Sequence, residues 1–532
     1  MLREVQDDPY LPNPYGNNRT SPAQKYKSTG IFTTQVNVND NWENILGDAA
    51  NEPSIAVDPT NPDRIVIGWR QFDNVFSNFR QAGYGYSTDA GQTWTFPGKI
   101  ESGIFRSDPV LEFDSTGSAF YNSLTSDNNV YTTKVFKSDD GGALWNAGVE
   151  AFGGDKQWMT IDRSGGPGAG NIYSSWNSSF TSCYPGFFTR SADGGDSFEP
   201  CEEVPGNPYW GTMTVGNDGE LYIVGSSWVG GVIVAKSTTA WNTIFPVIWD
   251  NYSQVDLDGY LFYGLYVNPV GLLGQASIDV DRSNGPGRGN VYVLSSVVRF
   301  SNSDSADVMF SKSTDGGLNW SSPIRVNDDS GTENIQWFGT MSTAPNGRID
   351  AIWLDTRDAP GTIYSALYYS YSMDQGETWS VNERLSESFD PHIGWPQQNK
   401  MGDYFDMESD NTGAHLAWSN TLNGEEDVYY SYINPGVTGI QNGWEKQDLG
   451  SLTCYPNPFR DHTTITYTIP VASDISLVIY DVSGRAVKTL ADEKKQAGTY
   501  SLDWVSDLPP GFYECRLSAG TQVKHIGLVK TR

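Results

Sequence analysis

The side chains best suited to chemistry stand at two repeated offsets from short apolar runs. Just before or at the start of a first run lie Glu52, Arg106, Asp108, Lys156, Trp158, Tyr209, Trp210, Gln336, Trp337, Lys400, Asp403 and Tyr404. Just after the run that follows lie Arg70, Asp73, Trp176, Trp228, Arg299, Asp355, Arg357 and Asp358. Flat indoles beside carboxylates and guanidinium groups suit sugar rings, whose apolar faces stack on aromatic surface while their hydroxyls bond the charged groups. The competing use of the indoles is packing between repeats. His392 lies in the irregular stretch from Ser386 to Lys400, with Asp390 and Trp395, placed to fold over the same opening.

These residues share one opening only if the elements carrying them are arranged radially. The first runs begin at Pro53, Asp108, Trp158, Trp210, Gln275, Trp337 and Gly402, which makes seven strand–turn–strand units, with six as the alternative count. Between them recurs an octapeptide, Ser-x-Asp-x-Gly-x-x-aromatic, centred on Asp89, Asp140, Asp193, Asp315 and Asp374, with a decayed copy at Lys236–Trp241. The seventh unit, closing with Asp427-Val-Tyr-Tyr-Ser-Tyr-Ile433, has no such octapeptide. A strand from near Ile31 to Val38 is expected to complete it, since ring closure removes free sheet edges. The expected architecture is all-β: an extended segment over 1–30, a propeller over 31–433, a Gly/Pro/Asn-rich linker over 434–450 and a small domain over 451–532.

The octapeptide resembles the Asp box, or BNR repeat, of the sialidase-like propellers. The resemblance implies a hairpin turn in which Ser and Asp bond nearby backbone, Gly takes positive φ and the aromatic ring packs between blades. Such turns lie opposite the ligand face, so the five aspartates are structural. A sialidase-like activity implies three arginines clamping a sugar carboxylate, a Tyr nucleophile and an Asp acid/base. Arg70, Arg106 and Arg357 would form the clamp, with Tyr404, Asp108 and Asp403 as the chemistry and Asp355, Trp158, Trp210, Trp337, Trp176 and His392 as binding residues. The family's Arg-Ile-Pro signature is absent, and seven blades exceed the six of true sialidases. Seven-bladed lyases and rhamnosidases therefore fit as well, and the alternative is a non-catalytic glycan- or protein-binding module used in adhesion.

Net charge is −30 over 532 residues; the last 82 hold 9 Lys+Arg against 8 Asp+Glu, so the first 450 carry −31. That field repels phosphate and makes nucleic acid and anionic membrane poor partners. No apolar run is long enough for a membrane helix, and the first 27 residues carry no charged-then-apolar leader, so export implies a leader absent from this chain. The tail, with Cys454-Tyr-Pro-Asn-Pro-Phe459, Tyr480-Asp-Val-Ser-Gly484 and Gly511-Phe-Tyr-Glu-Cys515, resembles the type IX secretion sorting domain, an Ig-like sandwich; flagellar-hook capping proteins carry a similar one. The resemblance implies a bacterial protein, secreted or at the cell surface, that engages the secretion machinery through this domain. Four cysteines allow three pairings, and Cys183–Cys201 with Cys454–Cys515 keeps each bridge within a domain. Acidic turns at Asp304–Asp307 and Asp328–Glu333 offer oxygens of the kind Ca²⁺ prefers without matching an EF-hand; surface solvation is the simpler reading, and no cofactor is required.

Overall fold

The structure is a computed structural model; it describes residues 7–12, 19–28, 30–127, 130–179, 181–228, 230–301, 304–435, 452–469, 473–481, 485–496, 498–519 and 522–531. Among them there is no helix. The chain divides into two units, Met1–Gly439 and Ile440–Arg532. Most of the expected linker, 436–450, lies outside the described residues, as do the last three residues of the Tyr480–Gly484 turn.

Alternating Val, Ile, Tyr and Trp build the strands of the first unit, as in Ile65–Phe72 and Val291–Arg299. They form seven antiparallel sheets. Their first strands are Ala49–Val57, Ser107–Phe113, Trp158–Ile161, Met213–Val215, Ser277–Val280, Gln336–Thr343 and Asp406–Ser409. Each first strand touches the next, and the last touches Ala49–Val57, so the sheets close into a ring: the radial arrangement of a β-propeller. The seventh sheet is finished from the N-terminus, with Ile31–Gln35 pairing Asp427–Ile433 from Ile31 opposite Ile433 to Gln35 opposite Tyr429. The 1–30 segment does more than lie extended: Lys25–Ser28 adds a fifth strand to that sheet, and Thr20–Pro22 pairs Glu43–Ile45.

A first strand at the axis has one edge with no strand beside it, and its amides need other acceptors. Side-chain oxygens of the neighbouring sheet supply them. Asp406 takes the Ile55 amide (3.1 Å), Glu408 that of Val57 (3.0 Å), Ser54 that of Leu111 (3.0 Å) and Glu112 that of Ile161 (2.8 Å). Thr212, Asp279 and Ser342 do the same for Ile278, Thr343 and Ser409. These strands surround an axial channel of about 460 Å³. Burial lifts the Glu112 and Asp406 carboxyls to about 7.

All five octapeptides form one turn. In the first, Ser87 Oγ bonds Asp89 (2.8 Å) and accepts the Gly91 amide (2.9 Å), and Asp89 accepts that of Thr93 (2.9 Å). The same three bonds recur around Asp140, Asp193, Asp315 and Asp374. The glycine has positive φ and abuts the preceding sheet: a Cβ on Gly91 would fall 2.1 Å from the Tyr430 ring, and on Gly376 2.2 Å from Phe310. The turns therefore stitch sheet to sheet.

The second unit packs a three-stranded sheet (Leu452–Tyr455, His462–Ile469, Gly498–Val505) and a four-stranded sheet (Ser473–Asp481, Ala486–Lys495, Gly511–Ala519, Gln522–Lys530) around Ile465, Leu477, Ile479, Trp504 and Leu517. Cys183 and Cys201 form a disulfide. The second expected bridge is corrected: Cys454 and Cys515 are free thiols. Cys454 sits on the three-stranded sheet with its sulfur 2.9 Å from Thr463 Oγ1, whereas Cys515 lies in the core on the other sheet, where burial pushes its thiol up to about 12.

Candidate functional site

One residue at the head of each first strand adopts left-handed backbone: Glu52 (φ 48°), Asp108 (46°), Lys156 (57°), Trp210 (59°), Gly274 (133°), Phe338 (58°) and Gly402 (95°). Five are not glycine, a conformation costing roughly 1–2 kcal/mol per residue. These residues pack closely, and a Cβ on Gly402 would meet Glu52 Cγ at 2.5 Å. Strain of this kind concentrates where backbone is held for a purpose. Here it holds the heads of the strands around the axis at the end opposite the octapeptide turns.

Within this ring the structure gathers Glu52, Arg70, Asp108, Lys156, Trp158, Lys400, Asp403 and Tyr404 from the expected set, and adds Asp155. Lys156 Nζ lies 2.6 Å from Asp403 and 3.7 Å from both Asp108 and Asp155. Lys400 Nζ pairs with Asp403 and, at 3.3 Å, with Glu52; Arg70 Nε is 3.0 Å from Glu52. Tyr404 donates its hydroxyl to the Pro109 carbonyl (2.8 Å), and its ring meets Trp158 edge-on at 5.4 Å. Burial lifts the Glu52 carboxyl to about 7, with Arg70 and Lys400 pulling the other way. Burial would also raise Asp108 and Asp403, but Lys156 above all holds both below the usual carboxylate range.

This network is closed to solvent. Glu52, Arg70, Asp108, Asp403 and Tyr404 are each at most 2% exposed, and only Lys156, Lys400 and Asp155 reach the mouth in part. Asp108 and Asp403 are thus held by Lys156 and Lys400, and Tyr404 by a backbone carbonyl. The arginine clamp is not assembled. Arg70 is held by Glu52; Arg106 pairs with Glu101 and lies over Phe136; Arg357 is held by Asp355 and Asp328 (2.6 Å) over the Tyr368 ring. Asp355 is spent on Arg357 and the Trp353 indole. Trp337 and Trp176 are core residues, donating to Ser365 and Thr181. His392 lies tilted against Trp395 (4.1 Å) with Nε2 3.2 Å from the Val267 carbonyl, tying two loops together. The acidic turns weighed for Ca²⁺ are taken by arginines, Asp307 by Arg299 and Arg325 and Asp329 by Arg325. Among the described residues no group of three or more His, Cys, Asp or Glu is arranged to hold a metal ion.

Beside this network lies a connected group of aromatic rings, four of them exposed: Trp228, Tyr260, Tyr263 and Phe300. Beginning at Trp210 in the ring of strand heads, Tyr209 lies 5.0 Å from it and Trp228 a further 5.3 Å away; in the other direction Tyr263 follows at 6.1 Å. Phe262 stacks on Tyr263 (6.0 Å), Tyr260 meets Phe262 (6.0 Å) and Phe300 stacks on Tyr260 (5.5 Å). Trp228 and Phe300 are 69% and 64% exposed. The backbone beneath is braced: Tyr260 pairs Val298, Arg299 holds Asp258 (2.6 Å), and Asn268 donates to the carbonyls of Leu272 and Gly402. Trp210, Tyr209 and Trp228 are legible as mouth residues from the repeat. Tyr260, Phe262, Tyr263 and Phe300 are not, because most come from an insertion between units; the aromatic density of Tyr260-Leu-Phe-Tyr-Gly-Leu-Tyr266 was the available signal.

Fold and site together define an all-β protein with a β-propeller whose axial charges are largely buried and which carries a group of exposed aromatics. Residues 453–530 match the family model of the secretion system C-terminal sorting domain, which marks a secreted or cell-surface bacterial protein. No curated protein matches by sequence. Among solved structures, a protein of unknown function from Dyadobacter fermentans DSM 18053 is 14% identical, with 76% of this chain and 99% of that one covered and a TM-score of 0.42. The GH74 xyloglucanase of Xanthomonas campestris is 16% identical (74% and 56% covered, TM-score 0.38) and the phage phi92 endosialidase 8% identical (94% and 88%, TM-score 0.42). At these values none carries an argument about chemistry.

Proposed function

We propose that this is an exported glycan-binding protein: a seven-bladed propeller that holds carbohydrate on the face carrying the strand heads, delivered by an Ig-like type IX sorting domain. The observation that carries the reading is the connected group of aromatic rings around Trp210, of which Trp228, Tyr260, Tyr263 and Phe300 are exposed to solvent. Sugar rings present C–H faces that stack on indole and phenol, and rings held on braced backbone lose little freedom on binding. Binding is favoured over bond cleavage because Asp108, Asp403 and Tyr404 are buried and bonded to protein partners. The test is a glycan array followed by calorimetry and a hydrolysis screen on the hits. Binding lost in Trp210→Ala with Tyr209→Ala, without turnover, supports the reading. Turnover abolished by Asp108→Asn would replace it with an enzyme, and absence of any glycan ligand would end it.

A further inference from the structure

We infer that the protein carries a second binding site, beside the start of the strand Ala49–Val57, for the primary ammonium group of a small organic molecule. It shares no residue with the aromatic group around Trp210 and stands apart from the glycan reading. The site is a cavity of about 520 Å³, within the range of small-molecule pockets, whose walls include Val38, Asp48, Gln71, Asp73, Phe96 and Lys99. Asp73, read from the sequence as a mouth residue, thus lines this cavity.

One atom of the wall lacks a donor. Asp48 is 3% exposed; its Oδ2 accepts from Gln71 Nε2 (2.8 Å), whereas its Oδ1 has no partner. A buried carboxylate oxygen without a donor is destabilising, and a ligand that donates to it removes the penalty. Burial first, then the like charge of Asp427, pushes this carboxyl well above the usual carboxylate range; Glu425 and Asp73 add to the rise and the Gln71 bond opposes it. The charged groups acting on Asp48 most strongly are therefore all acidic. Asp427 is bonded by Asn37 and Asn423, and Glu425 by Asn44 and the Gly47 amide, all neutral donors. Of the three, Asp73 meets a cation, Lys99 at 2.9 Å. A positive charge brought to Oδ1 enters a field that favours it.

The free acceptor narrows the kind of cation. Among the described residues no three His, Cys, Asp or Glu are arranged to hold a metal ion, which leaves an organic one. A guanidinium pairs best with both oxygens of a carboxylate, and here Oδ2 is taken. A quaternary ammonium has no N–H to give. A primary ammonium is a compact charge that suits a single acceptor. Val38 and Ile45 offer apolar lining for its carbon skeleton, and Phe96 and Tyr10 offer rings that attract the charge itself. An amino sugar and an aliphatic amine both carry this chemistry.

The test is calorimetry on the full chain with glucosamine and cadaverine, one ammonium from each source, against glucose and pentanediol as their neutral counterparts. Binding of an amine without its neutral counterpart supports the site, and the amine that binds names the source. Asp48→Asn keeps the shape and removes the charged acceptor; it is expected to weaken amine binding by roughly tenfold or more. Lys99→Met removes the cation from the wall and is expected to tighten amine binding, a measurement that stands even should Asp48→Asn not fold. A neutral counterpart that binds as tightly as its amine would overturn the ammonium. Binding of neither amine, or amine binding that Lys99→Met fails to tighten, would overturn the site.

Discussion

Replacing Lys156 by Met tests whether the axial network is held by charge. The ammonium touches Asp403 at 2.6 Å and lies 3.7 Å from Asp108 and Asp155, and its side chain is only 12% exposed. Methionine keeps most of the stem's packing and removes the charge. Loss of one partner from a buried pair costs about 3–5 kcal/mol. The lower end is expected, because Lys400 still reaches Asp403 and Arg70 still acts on Asp108. About 3 kcal/mol is a factor of roughly 150 in the folded-to-unfolded ratio. Denaturant unfolding followed by tryptophan fluorescence would read it at pH 5 and pH 8. Asp108 and Asp403 are ionised at both in the native protein; without Lys156 their carboxyls rise and can take a proton at pH 5, which relieves the repulsion. The deficit should therefore be larger at pH 8. A deficit independent of pH would show that Lys156 acts by packing alone, and no deficit would refute the network.

Other outcomes follow from the same geometry. Gly91→Ala, with its Cβ 2.1 Å from Tyr430, should destabilise by well over the roughly 1–2 kcal/mol of left-handed strain alone, whereas Gly194→Ala, whose Cβ meets nothing within 4 Å, should cost only that strain; thermal melts compare them. Glu52, Glu112, Asp406 and Asp427 are each lifted to about 7 mainly by burial, so the folded chain keeps protons that the unfolded chain has released; their contribution is present below the ordinary carboxylate pKa and falls as pH rises toward 7. Asp108, Asp403 and Asp410 act oppositely, losing their contribution as pH falls through their depressed range, so melting temperature should peak at mildly acidic pH. A melting temperature still climbing from pH 5 to pH 8 would contradict the raised carboxyls. Reducing Cys183–Cys201, which spans 18 residues, should cost about 3 kcal/mol, measured as a lowered denaturation midpoint with reductant.

Local chemistry was legible before any fold. The Ser-x-Asp-x-Gly turns read directly because their bonds join residues no more than four apart, and glycine is the residue that tolerates the φ they need. The closing strand near Ile31 was readable because the seventh unit lacked an outer strand and the N-terminal region held an alternating one. What tertiary structure decided was which polar groups face water. Arg70 and Arg357 stand at equivalent offsets in their units, and nothing in their neighbours tells that one is sealed against Glu52 while the other lies over Tyr368. Trp210 and Trp337 likewise share an offset, yet one is half-buried against other aromatic rings and the other is fully buried, donating to Ser365 in the core. Solvent exposure is set by what neighbouring strands and insertions place around a residue, which the pattern along a single unit does not carry.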